Sequence, residues 1–269
     1  EKFLKITNPI SSELSCMRTN LLPNIISALK KNINKNFDNF SFFELGPVFL
    51  GKEPNEQFDN ICVVRSGKMN EKNWIDNERN IDFFDIKADL SSVLSCLNMD
   101  INNFDILRQS KPYYHPGKSC SLLISDQTVG FLGEVSPVIL NSFDIKSKLV
   151  AFELNLTKLL KFLNKKEKSK NPLNVSHYQA SKRDFSFEID KEIFSLEIIK
   201  LIKNTNHKLI KDVKVFDSYQ GEKINEKKKA VGFEVTIQSH EKTLTDDEIN
   251  EISENIISKV KKKYNAKLR

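Results

Sequence analysis

From Val231 to Gln238 apolar and polar side chains alternate without interruption, Val231, Phe233, Val235 and Ile237 against Gly232, Glu234, Thr236 and Gln238. Successive residues of a strand point to opposite faces, so this stretch commits its part of the chain to a sheet with one buried and one open face. Phe185, Phe187 and Ile189 alternate with Ser186, Glu188 and Asp190 in the same way. Leu196, Ile198, Ile199, Leu201 and Ile202 then recur at helical spacing, and the helix ends near Asn204. Strand character resumes from Leu209 to Phe216 and reverses near Gly221. Thr245-Asp246-Asp247-Glu248 reads as a capping box, the threonine hydroxyl accepting from the Glu248 amide while the glutamate reaches back. Ile249, Ile252, Ile256 and Val260 continue that helix, and a short strand at Ala266 to Arg269 closes the chain. The order is strand, helix, strand, strand, helix, strand, which is the ferredoxin-like βαββαβ arrangement with four antiparallel strands and both helices on one face.

Such a sheet leaves its other face free. A free face with an aromatic and basic flanks is a common way to hold unstacked RNA bases, although fold alone does not establish function. Charge becomes informative when divided along the chain. Residues 1–156 carry −2, residues 157–171 carry +5 and residues 172–269 carry +3, within a total of +6. Positive charge therefore gathers where a polyanion would dock. Plain solvation of a lysine- and asparagine-rich chain accounts for the same distribution.

The first part of the chain reads as an α+β domain. Asn8-Pro9-Ile10-Ser11 is turn chemistry, and Leu22, Ile25, Ile26, Leu29 and Ile33 predict an amphipathic helix with Pro23 in its first turn. Phe40 to Phe49 is so continuously aromatic and apolar that it is expected at the centre of a sheet, bent or ended by Gly46-Pro47. Ile61 to Val64 is a further strand, ended by Ser66-Gly67, and Leu90, Val93, Leu94 and Leu97 place a second helix on that sheet. Ser121 to Ile124 and Thr128 to Leu132 form a hairpin across Ser125-Asp126-Gln127, and Leu149 to Leu154 is one more strand. The sheet is expected to be mostly antiparallel. Residues 1–156 are thus one domain, residues 157–171, with Lys165-Lys166-Glu167-Lys168-Ser169-Lys170, a basic linker, and residues 172–269 a second domain.

Little in the first domain points to chemistry. The usual phosphate-loop, dinucleotide, zinc-protease and nucleophile-elbow motifs do not occur. Glu44, Asp82 and Asp85 flank aromatic runs and are candidates for an acid–base pair or for hydrogen-bond partners at a sheet edge. Cys16, Cys62, Cys96 and Cys120 stand singly, which argues against a closed zinc site and for reduced thiols in a cytoplasmic protein. His115-Pro116-Gly117 reads as a turn. No run of about 18 apolar residues offers a membrane span. The N-terminus lacks the layout of a signal peptide, and a start without Met suggests part of something longer.

Several short segments carry a resemblance. Arg183-Asp184, Phe216-Asp217-Ser218-Tyr219-Gln220-Gly221, Lys228-Lys229, Thr243 to Glu248 and Leu268-Arg269 resemble the ferredoxin-fold anticodon-binding domain that ends the beta subunit of bacterial phenylalanyl-tRNA synthetases. Upstream, Asn8 to Ser11, Met17-Arg18-Thr19, Phe43-Glu44-Leu45-Gly46, Asp82-Phe83-Phe84-Asp85 and His115-Pro116-Gly117 are similar to the same family in the same order. The resemblance implies that residues 1–156 form a class II synthetase-like antiparallel sheet with helices that is itself not catalytic. A working class II site clamps ATP with arginines, and none follows Phe43 to Phe49 or closes the stretch from Gly130 to Ser136. It further implies a catalytic alpha subunit as partner in a heterotetramer, tRNA(Phe) as ligand, and ATP and Mg used by the holoenzyme, with no cofactor bound by this portion. The resemblance assigns Asp217 and Tyr219 to the anticodon, Tyr219 as a stacking surface and Asp217 as an acceptor for a base edge. Lys228, Lys229, Lys267 and Arg269 would supply backbone electrostatics, and Arg183 an RNA contact or a brace for the sheet. The resemblance also places Ala230 among the RNA-binding positions, where many relatives carry serine and this chain offers no hydroxyl, and this chain has Ala266 near a position where relatives carry an aromatic. Outside the resemblance, Tyr219 is an ordinary turn aromatic and Arg183-Asp184 an ion pair, and the alternatives are a self-sufficient amino-acid-activating enzyme or an interaction scaffold without RNA.

Overall fold

A computed structural model describes residues 3–70, 73–75, 77–163, 175–221 and 224–269. The chain divides into two units, residues 1–170 and 171–269.

The first unit is a six-stranded antiparallel sheet in which the strands Phe40–Phe49, Gln57–Ser66, Leu149–Asn155, Gln127–Val135, Tyr114–Ile124 and Asp105–Leu107 lie side by side in that order, with a helix on each face. α1 (Leu22–Ile33), with Pro23 in its first turn, buries Leu22, Ile25, Ile26 and Leu29. They meet Phe40, Val48, Cys62 and Val64 from β1 (Phe40–Phe49) and β2 (Gln57–Ser66). α2 (Phe83–Cys96) packs Ile86, Leu90 and Leu94 against the other face. β3 (Asp105–Leu107) forms one edge, and β4 (Tyr114–Ile124) and β5 (Gln127–Val135) form the expected hairpin. Ser125 and Asp126 turn it with φ of 47° and 63°. α3 (Pro137–Ser142) follows, and β6 (Leu149–Asn155) is covered on both faces, which is why it reads as a near-continuous apolar run.

Two expectations change. β1 lies at an edge rather than at the centre of the sheet, and it runs through Gly46-Pro47 to Phe49. An edge tolerates a residue without an N–H. Phe40, Phe42 and Val48 face the α1 core, whereas Phe43 and Leu45, on the other face, are 73% and 60% exposed. The aromatic run therefore reflects two different surfaces. The second change concerns the linker. Residues 157–162 belong to α4 (Leu156–Leu159) and a 3-10 turn at Leu160–Phe162, with Leu159 fully buried in the α2-side core. Three apolar residues in this stretch outweigh its lysines. Residues 164–171 of the expected linker lie outside the described residues.

The second unit follows the βαββαβ order. β7 (Ser181–Asp190), α5 (Ser195–Lys203), β8 (Ile210–Tyr219), β9 (Lys228–Ile237), α6 (Asp246–Tyr264) and β10 (Lys267–Leu268) form a sheet of order β10-β7-β9-β8, antiparallel throughout. Phe185, Phe187 and Ile189 with Val231, Phe233, Val235 and Ile237 bury one face against Ile198, Ile202, Ile249, Ile252, Ile256 and Val260. Each such side chain contributes about 1.5–3 kcal/mol when fully buried. The capping box at Thr245 and Glu248 forms in both directions, at 3.3 and 3.0 Å.

Candidate nucleic-acid interface

A one-residue bulge in β8 decides which way its side chains face. Val213 and Val215 lie opposite the core residues Val235 and Phe233, and the pairing then shifts so that Asp217 lies opposite Gly232 and Tyr219 opposite Ala230. Opposed residues share a face, and Ala230 and Gly232 alternate with the core residues Val231 and Phe233. Asp217 and Tyr219 are therefore on the face away from the helices. Strict alternation from Val213 would have turned both inward, so the extra residue at 216 is what presents them.

Phe216, the bulged residue, lays its ring over Gly232. A Cβ at 232 would stand 2.8 Å from its Cζ, closer than carbon atoms pack, so the ring needs a glycine beneath it. Tyr219 folds back toward Gly221, where a Cβ would run into its hydroxyl. The two rings are 59% and 42% exposed, and Ala230, opposite Tyr219, is buried. Two half-open aromatic rings with an exposed carboxylate between them in sequence are suited to stacking bases and accepting a hydrogen bond.

Three lysines elsewhere on this face have carboxylate partners. Lys182 meets Glu234 at 3.0 Å, Lys228 meets Glu188 at 3.5 Å and Lys214 meets Asp212 at 3.5 Å. Exposed pairs of this kind are worth about 0–1 kcal/mol, so a phosphate can compete for any of the three. Lys267 lies opposite Glu188 on the same face, and the Arg269 amide donates to the Ser186 carbonyl at 2.9 Å. Both are on the far edge of the sheet from β8, roughly 14 Å away at three strand spacings. One base cannot reach both edges.

Two positions, Lys229 and Ala266, depart from expectation, and Arg183 sits as a brace, one of its two expected roles. Arg183 shares the helix side with Phe185 by strand alternation, and its guanidinium meets Asp246 of α6 at 3.9 Å rather than Asp184. Lys229 lies on the helix side as well, donating to the Ile193 carbonyl at 2.7 Å. Alternation along β7 and β9 puts both on that side, so they brace the fold. Ala266 is 7% exposed and packs in the helix-side core, so an aromatic at this position would not lie on the open face. Sequence reasoning, conversely, left Phe216 out of the site. A glycine inside the alternating pattern at 232 was the available signal, since it marks close approach.

In the first unit the three acidic candidates, Glu44, Asp82 and Asp85, are held in local hydrogen bonds and ion pairs. Asp82 and Asp85 form the capping box of α2, and Arg79 binds Asp85 through two nitrogens at 2.7 and 2.6 Å. The Arg79 hydrogen bonds hold the Asp85 carboxyl at about 2, below its usual 3.8. Glu44 pairs with Arg18. His115 Nδ1 accepts from the Gly117 amide at 3.1 Å. Burial pushes the Cys62 and Cys120 thiols up, which makes them unreactive. No group of three potential metal ligands, and no helix long and apolar enough to cross a membrane, occurs among the described residues. A cavity of about 600 Å³ is lined by Lys111 and Lys158 but by no arginine among the described residues, and so does not fit the forked clamp of a nucleoside triphosphate.

Residues 1–156 match the family model described as the phenylalanyl tRNA synthetase beta chain CLM domain, and residues 176–269 match the ferredoxin-fold anticodon binding domain. The chain is 35% identical over 266 residues to a phenylalanine–tRNA ligase beta subunit of Paramagnetospirillum magneticum, covering 99% of this chain and 33% of the relative. It is 35% identical over 268 residues to that of Rickettsia prowazekii, covering 99% and 32%. The chain thus spans about a third of the length of the curated relatives it matches. A pyrrolysyl tRNA synthetase structure from Desulfitobacterium hafniense aligns with TM-score 0.42 and 14% identity over 57% of this chain and 51% of that one, too distant to carry an argument. With residues 1–156, more than half its length, under the beta-chain model and residues 176–269 under the anticodon-binding one, the chain belongs to the phenylalanyl tRNA synthetase beta chain family.

Proposed function

We propose that this chain is a non-catalytic portion of a phenylalanine-tRNA ligase beta subunit working in the cytoplasm. Its second unit binds the anticodon of tRNA(Phe) on the open sheet face, and its first unit docks on a catalytic alpha subunit in a heterotetramer. The observation that carries the RNA reading is the bulge at Phe216, which brings Phe216, Asp217 and Tyr219 to one solvent-exposed face over Gly232 and Ala230. Phe216 and Tyr219 stack on unstacked bases, Asp217 accepts from a base edge, and Lys228, Lys267 and Arg269 meet phosphates. Phe43 and Leu45, apolar side chains exposed on edge strand β1 among the described residues, support docking of the first unit on a partner. ATP and Mg belong to the alpha subunit in this reading, since the arginine-free cavity of the first unit offers no triphosphate clamp. Co-purification with a tagged alpha subunit, followed by titration of the complex with tRNA(Phe), tests both halves. Pyrophosphate exchange dependent on an amino acid by this chain alone would contradict the non-catalytic reading.

A further inference from the structure

Two one-residue bulges interrupt edge strand β8, the first at Lys211 and the second at Phe216. Ile210 lies in the helix-side core, so strict alternation from it would turn Asp212 and Lys214 inward. The first bulge instead sets Asp212 opposite Thr236 and Lys214 opposite Glu234, on the open face. Lys214 therefore shares a face with the aromatic site and precedes Phe216 by two residues, roughly 7 Å along the strand.

Upstream of Lys214 the edge is basic. Lys208 and Lys211 are exposed, and neither has a carboxylate partner among the described residues. The Lys211 ammonium donates instead to the Lys208 carbonyl at 2.8 Å. Asp212 is the one acidic residue between 200 and 216, and it is shared by Lys214 at 3.5 Å and Lys203 at 3.9 Å. The negative end of the α5 dipole accounts for Lys200 and Lys203 in its last turn. It does not account for Lys208, Lys211 and Lys214, which lie beyond the helix. The middle of the open face has the opposite character. Asp184 and Glu234 stand directly across the β7–β9 pair, and Glu188 and Asp190 share their face, against Lys182 and Lys228. A phosphate backbone is repelled there and attracted along β8. The uncharged pair of Ser186 and Gly232 is the remaining way across to Lys267 and Arg269.

We propose that a single RNA strand stacked on Phe216 and Tyr219 continues along the edge of β8, its phosphates on Lys214, Lys211 and Lys208. This path rests on the anticodon reading and adds the direction in which the RNA leaves the site, toward the end of α5. From Phe216 back to Lys211 the strand runs about 15 Å, a length that several phosphates fill. Contacts of this kind position the RNA and add affinity without telling one base from another.

The 269-residue chain and a variant carrying Lys208→Gln, Lys211→Gln and Lys214→Gln are titrated with tRNA(Phe), native and with a substituted anticodon, over a series of salt concentrations. The variant should lower the slope of log affinity against log salt by about 2, at about 0.7 for each phosphate contact with a single strand. It should weaken both tRNAs by the same factor and keep the preference of wild type for the native anticodon. A second variant, Lys261→Gln with Lys262→Gln and Lys263→Gln, removes the same charge from the last turn of α6 and should leave the slope unchanged. All six side chains are exposed, so both variants should melt as wild type does. An unchanged slope in the first variant, or an equal fall in the second, overturns the path along β8, while preference of wild type for the native anticodon leaves the anticodon reading standing. Absence of that preference overturns both.

Discussion

The Phe216 ring and the α-carbon of Gly232 are in such close register that a single methyl group at 232 would stand 2.8 Å from the ring's Cζ. Gly232→Ala should therefore evict the ring from the sheet. Because Phe216 is already 59% exposed it can swing into solvent, so the melting temperature should change little. Affinity for tRNA(Phe) should fall by about 1–3 kcal/mol, matching Phe216→Ala, because both lose one stacking surface. Undiminished binding by Gly232→Ala would show that the ring is not a contact.

The two faces of the sheet separate the basic residues by role. Lys267→Ala and Arg269→Ala should each reduce the slope of log affinity against log salt by about 0.7, the value for one phosphate contact with a single strand. Arg183→Ala and Lys229→Ala, on the helix side, should leave that slope unchanged. A salt titration of each variant's tRNA affinity distinguishes the two groups.

Acid should loosen the first unit through Asp85. Its folded value of about 2 lies below the ordinary 3.8, so the Arg79 interaction stabilises the fold fully above about pH 4 and is lost as pH falls toward 2. Arg79 is half exposed, so solvent screens part of this contribution. Urea melts of wild type and Asp85→Asn should differ at pH 6 and converge near pH 2. A difference that persists at low pH would assign the effect to the capping box instead.

Leu45→Asp places a charge on an exposed apolar edge. Stability of the isolated chain should stay within about 0.5 kcal/mol, as for most surface substitutions. Co-purification with the alpha subunit should drop sharply, and an unchanged yield of complex would move the partner surface elsewhere.

The second unit is legible because its strands carry one buried face, so period-two alternation alone names Phe185, Phe187, Val231, Phe233, Val235 and Ile237 as core. The same logic failed at β1, where exposed Phe43 and Leu45 look like core in a linear reading. An apolar residue held at a surface is indistinguishable in sequence from one held inside. The bulge at Phe216 is hard to read for another reason: one extra residue resets the register without changing composition, and Gly232 signals a close approach without naming its partner, which the pairing of Asp217 with Gly232 supplies. The helix-side placement of Lys229, by contrast, follows directly from the parity of its neighbours Val231 and Phe233 and was available throughout.

Equilibrium titration of the chain with tRNA(Phe) and with the same tRNA carrying a substituted anticodon, each against wild type and Tyr219→Ala, tests anticodon reading most directly. Wild type should prefer the native anticodon, and Tyr219→Ala should lose about 1–3 kcal/mol on that tRNA and little on the other. Equal affinity of wild type for both anticodons, or an equal loss on both in Tyr219→Ala, would contradict it.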